Sequence, residues 1–127
     1  MAIETRFTRE LVDEFTRQGY WSKHEILTDY IDRNAAEMPN REALVDIKGR
    51  YTWSDFKRFI DRVALAMIDL GFQREDRVVV QLPNWAEFYY LRFGLQRFGG
   101  LPLFPMMTYR AKELESGIAS LLARFAI

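Results

Sequence analysis

The pattern of hydrophobic and polar positions predicts a strand, helix, strand unit at the centre of the chain, from Arg77 to Pro105. Residues 78–80 are three consecutive valines, a continuous apolar run that is typical of an interior, parallel strand covered on both faces. Residues 101–104 can supply the return strand, and Pro102 restricts it to a short strand or an edge position. Because such crossovers are almost always right-handed, this unit predicts a parallel βαβ arrangement.

The helix of this unit has a predicted start, a predicted end and an unusually wide apolar surface. Pro83 ends the strand, and Asn84 is predicted to cap the helix with Glu87 as its capping-box partner. Gly99 and Gly100 stop the helix. Its apolar positions cover more than one stripe, which predicts packing against the sheet and a second neighbour. They are Trp85, Phe88, Tyr89, Leu91, Phe93, Leu95 and Phe98.

Two helices are predicted before the first strands. Thr8 can cap a short helix with an apolar face at residues 11, 12 and 15, which Gly19 ends in a left-handed turn. Tyr20 and Trp21 follow it in a loop, where we expect them to form a lid over a core rather than to stack on a ligand. A second helix can begin at Thr28 and must end at Pro39.

A hairpin and a long amphipathic helix follow. Residues 43–47 and 50–52 are predicted to pair through a turn at Lys48-Gly49, where glycine tolerates a positive φ. Either Thr52, with Asp55 as capping-box partner, or Ser54 can start the next helix, and Gly71 ends it. Its apolar residues recur at helical spacing at Phe56, Phe59, Ile60, Val63, Met67 and Leu70.

The last segment predicts a final helix. Thr108 is its expected cap, and Gly117 interrupts it at a cost of about 1 kcal/mol relative to alanine. The terminal LLARFAI is apolar and must be buried by something. The expected apolar positions of the helix are Leu114, Ile118, Leu121, Leu122 and Phe125. The element order predicts an α/β fold, a layered sheet with a parallel βαβ unit and a hairpin, with helices packed on it, in one domain over residues 1–127.

Composition and charge select no partner. The 127 residues are 49% hydrophobic and 28% charged, and 18 basic residues balance 18 acidic ones. With no net field to attract nucleic acid or an anionic membrane, neither is an expected partner. The absence of cysteine excludes disulfides, thiolate zinc sites and a cysteine nucleophile. No secretory signal or uninterrupted membrane span is present, so a cytoplasmic location is expected.

The motifs of phosphate binding and nucleophilic catalysis do not occur. Neither GxGxxG nor GxxxxGK[ST] is found, and Gly94 with Gly99 and Gly100 is interpreted as a helix stop rather than as a phosphate loop. GxSxG is also absent. The serines that lack an obvious histidine partner are Ser54, Ser116 and Ser120.

The titratable residues give no site either. His24, the single histidine, is expected on the surface or in a packed loop. The carboxylate pairs Asp29 with Asp32, Glu113 with Glu115, and Asp13 with Glu14 are interpreted as solvated faces. Arg92 and Arg97 lie on the central helix, where Arg92 can anchor a carboxylate or extend its stem to solvent. Arg110 with Lys112 forms a small basic spot beside Tyr109. We therefore predict no catalytic, cofactor-binding or metal-binding residue.

Several stretches, taken in order, resemble the N-terminal part of the adenylate-forming acid ligases. They are FTRELVDEFTRQGYW, LTDYIDRNAAEMPNREALVD, YTWSDFKRFIDRVALAMIDLGFQREDRVVVQLPN, WAEFYYLRFGLQRFGGLPLFP and TYRAKELE. GYW and FGGLPLFP are most similar to the branch that contains 2,3-dihydroxybenzoate-AMP ligase. The resemblance implies a reaction in which a carboxylate attacks the α-phosphate of ATP and a thiol, such as coenzyme A, later displaces AMP, with magnesium as cofactor.

No catalytic or nucleotide-binding residue is carried over from this resemblance. The family's phosphate loop, adenine and ribose motifs and catalytic lysine have no matching position in the chain. Two departures stand out: Glu75-Asp76 replaces the usual Gly-Asp, and similarity is expected to fade after Glu115. These features lead us to expect a truncated, inactive N-terminal subdomain, produced by a frameshift or a premature stop. The alternatives are a stand-alone interaction module that dimerises through apolar edges or the last helix, partnership with the rest of the ligase, and nucleotide binding without catalysis.

Overall fold

Two small sheets and five helices make up the part of the chain that the computed structural model describes, residues 7–22 and 24–127. The helices are α1 (Arg9–Arg17), α2 (Leu27–Glu37), α3 (Trp53–Asp69), α4 (Ala86–Arg97) and α5 (Ala111–Leu121). The strands are β1 (Glu42–Val45), β2 (Arg50–Thr52), β3 (Arg77–Val79), β4 (Leu101–Leu103) and β5 (Phe125–Ala126). The predicted α/β class is confirmed.

The three-stranded sheet is parallel and has β3 at its centre, in the order β4-β3-β5. Val78 and Val80 are buried on one face with Leu95 of α4, and the buried Val79 lies on the opposite face, toward α5. The predicted βαβ unit and interior strand are therefore confirmed. Pro102 lies in an edge strand of three residues, as its missing N–H requires.

The C-terminal segment differs from the predicted helix in two places. Thr108 is not the cap: the helix begins after Arg110, whose N–H donates to Glu113 Oε2 at 3.0 Å. Phe125 is not helical, because the chain leaves α5 at Leu122 with a φ of +50° and continues into β5. There Phe125 pairs with Val78, and its ring stacks on Phe72 at 3.8 Å. The helical spacing of Phe125 therefore suggested too long a helix. Phe125 lies in a strand and packs against the core that contains Val78.

The hairpin and α3 follow the sequence closely except at the turn. Strands β1 and β2 pair antiparallel, and Thr52 rather than Ser54 caps α3 in a capping box with Asp55. Gly71 has a φ of +87° and ends the helix as predicted. Gly49 does not adopt a positive φ, because Asp46 Oδ1 holds the turn instead by accepting from the N–H groups of Lys48 at 2.8 Å and Gly49 at 3.0 Å.

The same aspartate caps the central helix. Asp46 Oδ2 accepts from the N–H of Ala86 at 3.0 Å, and the pKa of Asp46 is lowered chiefly by this hydrogen bond and further by the two in the turn. The predicted Asn84 cap is wrong, because the cap position falls one residue later, at Trp85, and a carboxylate from the hairpin reaches the helix end. The expected capping partner, Glu87, forms an ion pair with Lys48.

Helix α4 packs against two neighbours, as its wide apolar surface predicted. One core lies between α2, α3 and α4 and contains Ile31, Phe56, Ile60, Ala86 and Tyr90. The other lies between α3, α4 and β3 and contains Met67, Val78, Val80 and Leu95. Helices α3 and α4 touch at Gly94 of α4, where an added Cβ would lie 2.5 Å from Cγ1 of Val63 on α3. Only glycine permits this approach.

Helix α1 begins and ends as the sequence predicts. Thr8 Oγ1 accepts from the N–H of Leu11, and Gly19 has a φ of +79°. Trp21 packs edge-on against Phe15 at 5.1 Å, whereas Tyr20 remains 73% exposed. The aromatic pair thus covers α1, which has no buried residue, rather than a core. Among the described residues, no helix has both the length and the apolar character that crossing a bilayer requires.

We expect Gly94→Ala to destabilise the fold by about 1–3 kcal/mol, because its methyl group overlaps Val63. Gly117→Ala is the matched control: it is also a helical glycine, but nothing lies within 4 Å of its added Cβ. That variant should gain about 0.5–1 kcal/mol. Urea unfolding measures both, and Val63→Ala should recover part of the loss in Gly94→Ala. Equal effects of the two alanines would contradict the close approach.

Asp46→Ala should lower the urea midpoint, because it removes the acceptor for Ala86 and for two N–H groups of the turn. Asn84→Ala should leave the midpoint unchanged, since Asn84 is exposed and does not cap α4. The two variants are measured side by side by urea unfolding. A larger loss in Asn84→Ala than in Asp46→Ala would restore the local cap that the sequence suggested.

Candidate functional site

The candidate position for a functional site is the carboxyl edge of the parallel sheet. Residues 80–84, 104–110 and 127 form this edge. From β3 the chain crosses to β4 on one side, then returns to β5 on the other side. The helices of these two crossovers lie on opposite faces of the sheet. In open α/β sheets, ligands bind outside the carboxyl ends of the strands where such a reversal occurs. Here the reversal lies between β3 and β5.

Gln81 organises this edge. Its Nε2 donates to the carbonyl oxygens of Met106 at 2.9 Å and Tyr109 at 3.2 Å, and its N–H donates to the carbonyl of Ile127 at 2.9 Å. One side chain therefore fastens the loop before α5 across the end of β3. The sequence interpretation overlooked Gln81, although a polar residue directly after three buried valines was a usable signal.

A groove of about 380 Å³ lies beside this edge, between the end of β4 and α5. Its walls are largely apolar, and Tyr109 and Glu113 are its polar side chains. Gly117 borders the groove, and open space lies where its Cβ would be. One oxygen of Glu113 is already engaged by the N–H of Arg110. The groove can therefore hold an apolar group but contains no acid–base pair.

Four charged residues, which we term the helix ion cluster, join α2, α3 and α4: Asp32, Lys57, Asp61 and Arg97. Arg97 donates two hydrogen bonds to Asp32, at 2.7 and 2.9 Å. Its Nε lies 2.9 Å from Asp61 Oδ1, an ion pair that is not aligned as a hydrogen bond. Lys57 contacts both carboxylates. Asp32 is thus ion-paired as well as partly exposed, because an arginine from α4 reaches it.

Within the helix ion cluster, the pKa values of Asp32 and Lys57 are shifted in the direction of mutual stabilisation. Hydrogen bonds from Arg97 lower the pKa of Asp32, and Lys57 acts in the same direction while burial opposes both. Asp61 and then Asp32 raise the pKa of Lys57. These shifts favour the ionised forms of Asp32 and Lys57, which suits a structural cluster rather than proton transfer.

Arg92 and the C-terminal basic residues are arranged differently. Arg92 is half-buried, and its guanidinium lies over the rings of Phe93 at 5.4 Å and Phe104 at 5.5 Å. Its stem is thus not simply extended to solvent. Arg110 Nη1 donates to the carbonyl of Met107 at 3.1 Å, so this side chain stabilises the loop that precedes α5. Lys112 is exposed and borders a shallow depression with Tyr109.

The remaining titratable residues stay apart. His24 is exposed, and its N–H donates to Ser22 Oγ. Asp29 accepts from the N–H of Ile26 at the start of α2. Tyr90 is buried with no partner for its hydroxyl in the described part of the chain, and burial raises the pKa of Tyr90. Within residues 7–22 and 24–127, no three histidine or carboxylate side chains converge to hold a metal ion.

Comparisons with known proteins relate most of the chain to one family. The model of the AMP-binding enzyme family matches residues 31–127, so the expected loss of similarity after Glu115 is wrong. The 2,3-dihydroxybenzoate-AMP ligase of Bacillus subtilis is 34% identical over 110 residues, which are 87% of this chain and 20% of that protein. The vibriobactin-specific 2,3-dihydroxybenzoate-AMP ligase of Vibrio cholerae is 32% identical over 111 residues, again 87% of this chain and 20% of that protein.

The fold is matched by solved structures as well. The apo structure of Mycobacterium smegmatis MbtA superposes with a TM-score of 0.90 at 33% identity, and the match covers 96% of this chain and 23% of that one. The chain therefore spans about a fifth of the length of the curated relatives it matches. The resemblance to the 2,3-dihydroxybenzoate-AMP ligase branch, expected from the sequence, is confirmed.

Arg97→Met should raise the pKa of Asp32 and destabilise the fold by on the order of 1 kcal/mol at about pH 7. Because the pKa of Asp32 is lowered from 3.8 in the folded state, its contribution is present above that value and is lost as pH falls through the folded-state pKa. Carboxyl NMR titration and urea unfolding at about pH 7 and about pH 3 measure both effects. Arg58→Met, which breaks the exposed pair with Asp55, is the control. An unchanged Asp32 titration in Arg97→Met would contradict this assignment.

Proposed function

Because the chain belongs to the AMP-binding enzyme family, we propose that it is the N-terminal scaffold of an adenylate-forming aryl-acid ligase and does not catalyse adenylation by itself. The proposal is carried by the fraction of each protein that the match covers. The match takes in most of this chain but about a fifth of each relative, and both relatives above are named for an aryl acid, 2,3-dihydroxybenzoate. An aryl acid is therefore the proposed substrate class of the whole enzyme, and a fatty acid is the alternative.

The reaction proposed for the whole enzyme joins a carboxylate oxygen of the acid to the α-phosphorus of ATP and releases pyrophosphate. The sulfur of a thiol, such as that of coenzyme A, then bonds to the acyl carbon, and AMP leaves. We propose no residue of this chain as a ligand of the magnesium ion or the triphosphate that this reaction uses. Among the described residues no three histidine or carboxylate side chains converge, and Gly99 ends a helix with a φ of +90° instead of opening one around a phosphate.

The part proposed for these residues is to position elements rather than to react. The sheet presents its carboxyl edge, where Gln81 holds the loop of residues 106–109 in place. Exposed apolar side chains border this edge, among them Phe104, Met106 and Ile127. Apolar surface of this kind is typical of an interface, and the remaining part of a ligase is its proposed partner.

A pyrophosphate exchange assay tests the proposal. The purified 127-residue chain is incubated with ATP, magnesium and either 2,3-dihydroxybenzoate, salicylate or a medium-chain fatty acid. We expect no exchange above the no-enzyme background, whereas the intact Bacillus subtilis relative, assayed in parallel, should exchange with its aryl acid. Acid-dependent exchange by the chain itself, undiminished through further purification, would overturn the scaffold assignment.

A stand-alone interaction module that forms dimers remains an alternative prediction. Exposed apolar residues that directly follow the last helix and the last strand favour it, with Leu122 74% exposed and Ile127 42% exposed. Strand β5 has β3 as its single strand partner in the described part of the chain. The same features serve either a second copy or the rest of a ligase.

A further inference from the structure

We propose that Arg92 is a recognition point for a carboxylate group that comes from outside this chain and is carried on an apolar body. The proposal goes beyond the proposed function and does not rest on it. Its basis is the juxtaposition of an unpaired, half-buried guanidinium with the rings of Phe93 and Phe104 on the exposed side of α4.

Arg92 has no anionic partner among the described residues. Its Nε is buried without a hydrogen-bond acceptor, and its terminal nitrogens make no hydrogen bond or ion pair with the described residues. A buried donor without an acceptor is costly, and burial of a guanidinium is ordinarily compensated by an anion. The guanidinium of Arg92 is therefore free to bind an anionic group from outside the chain.

Helix α4 also contains an arginine with a structural role, Arg97. Arg97, five residues later, is also half-buried, and Asp32 and Asp61 neutralise it. Arg92 receives aromatic rings in place of carboxylates. Since the two arginines share one helix and similar burial, the missing carboxylate is specific to position 92 and is not a general property of α4.

The surroundings of Arg92 favour a carboxylate over a phosphate. Positions three and four residues away on α4 are occupied by Phe88, Tyr89, Leu95 and Gln96, so no second cation lies beside it on the helix. One guanidinium matches one singly charged carboxylate, with which it can form two parallel hydrogen bonds.

Phe104 supplies the apolar part of the site. Its ring lies beside Phe88 at 5.0 Å and is 41% exposed, so it can pack against the body that carries the carboxylate. A small-molecule acid and an acidic side chain of a protein segment share this chemistry. The neighbouring aromatic surface is expected to prefer a carboxylate on a ring over one on a methyl group.

Binding is tested by NMR titration of the intact chain with acetate, benzoate and a blocked glutamate. The Nε–H signal of Arg92 is the reporter in the unmodified chain, and the backbone amide signals of residues 93 and 104 are the reporters in every variant. We expect benzoate to bind more tightly than acetate, and Arg92→Lys to weaken benzoate binding by about tenfold, because lysine keeps the charge but loses the fork. Arg92→Gln should show the same loss. Phe104→Leu should reduce benzoate to the affinity of acetate.

Arg62→Gln is the matched control, since Arg62 is an exposed arginine on α3 with no ion pair or ring contact in the described part of the chain. It should bind benzoate as the unmodified chain does, and thermal unfolding checks that every variant is folded. Tighter binding of benzoate supports a small-molecule source, and tighter binding of the blocked glutamate supports a protein source. Absence of binding by all three probes, or equal losses in Arg62→Gln and Arg92→Lys, would overturn the proposal.

Discussion

The close approach of α3 and α4 at Gly94 is the constraint on which the rest of this structure depends. Because a methyl group at that position would overlap Val63, the distance between the helices is set by the absence of a side chain. At that distance α4 lies in two cores at once, with Tyr90 in one and Leu95 in the other. The sheet, the hairpin and α2 are all placed by their contacts with this helix pair.

The elements predicted correctly from the sequence are those determined by residues that are neighbours along the chain. Three consecutive valines identified the central strand, Pro102 identified the edge, and Thr52 with Asp55 identified a helix start. Two of the errors arose where a distant residue takes over a local role. Asn84 had the right chemistry for a cap, but Asp46 reaches that helix end. Phe125 had helical spacing, yet pairing with β3 made it a strand.

The candidate site was less accessible to sequence reasoning, because its features depend on which charges meet in space. Asp32 and Arg97 are 65 positions apart, and no periodicity connects them. Gln81 could have been noticed where it interrupts an apolar run, but its two acceptors are backbone carbonyls in a loop whose path the sequence does not reveal. Arg92 was recognised as a possible carboxylate anchor, whereas its placement against Phe104 required the fold.

The cap that Asp46 provides has a consequence for how the chain folds. The first turn of α4 lacks a side-chain cap of its own, and its acceptor lies 40 residues earlier, in a turn that exists once β1 and β2 have paired. Closing so long a loop costs chain entropy before the contact stabilises anything. The hydrogen bond therefore couples the hairpin turn to the start of α4, so that a loss of structure in either element removes a stabilising contact from the other.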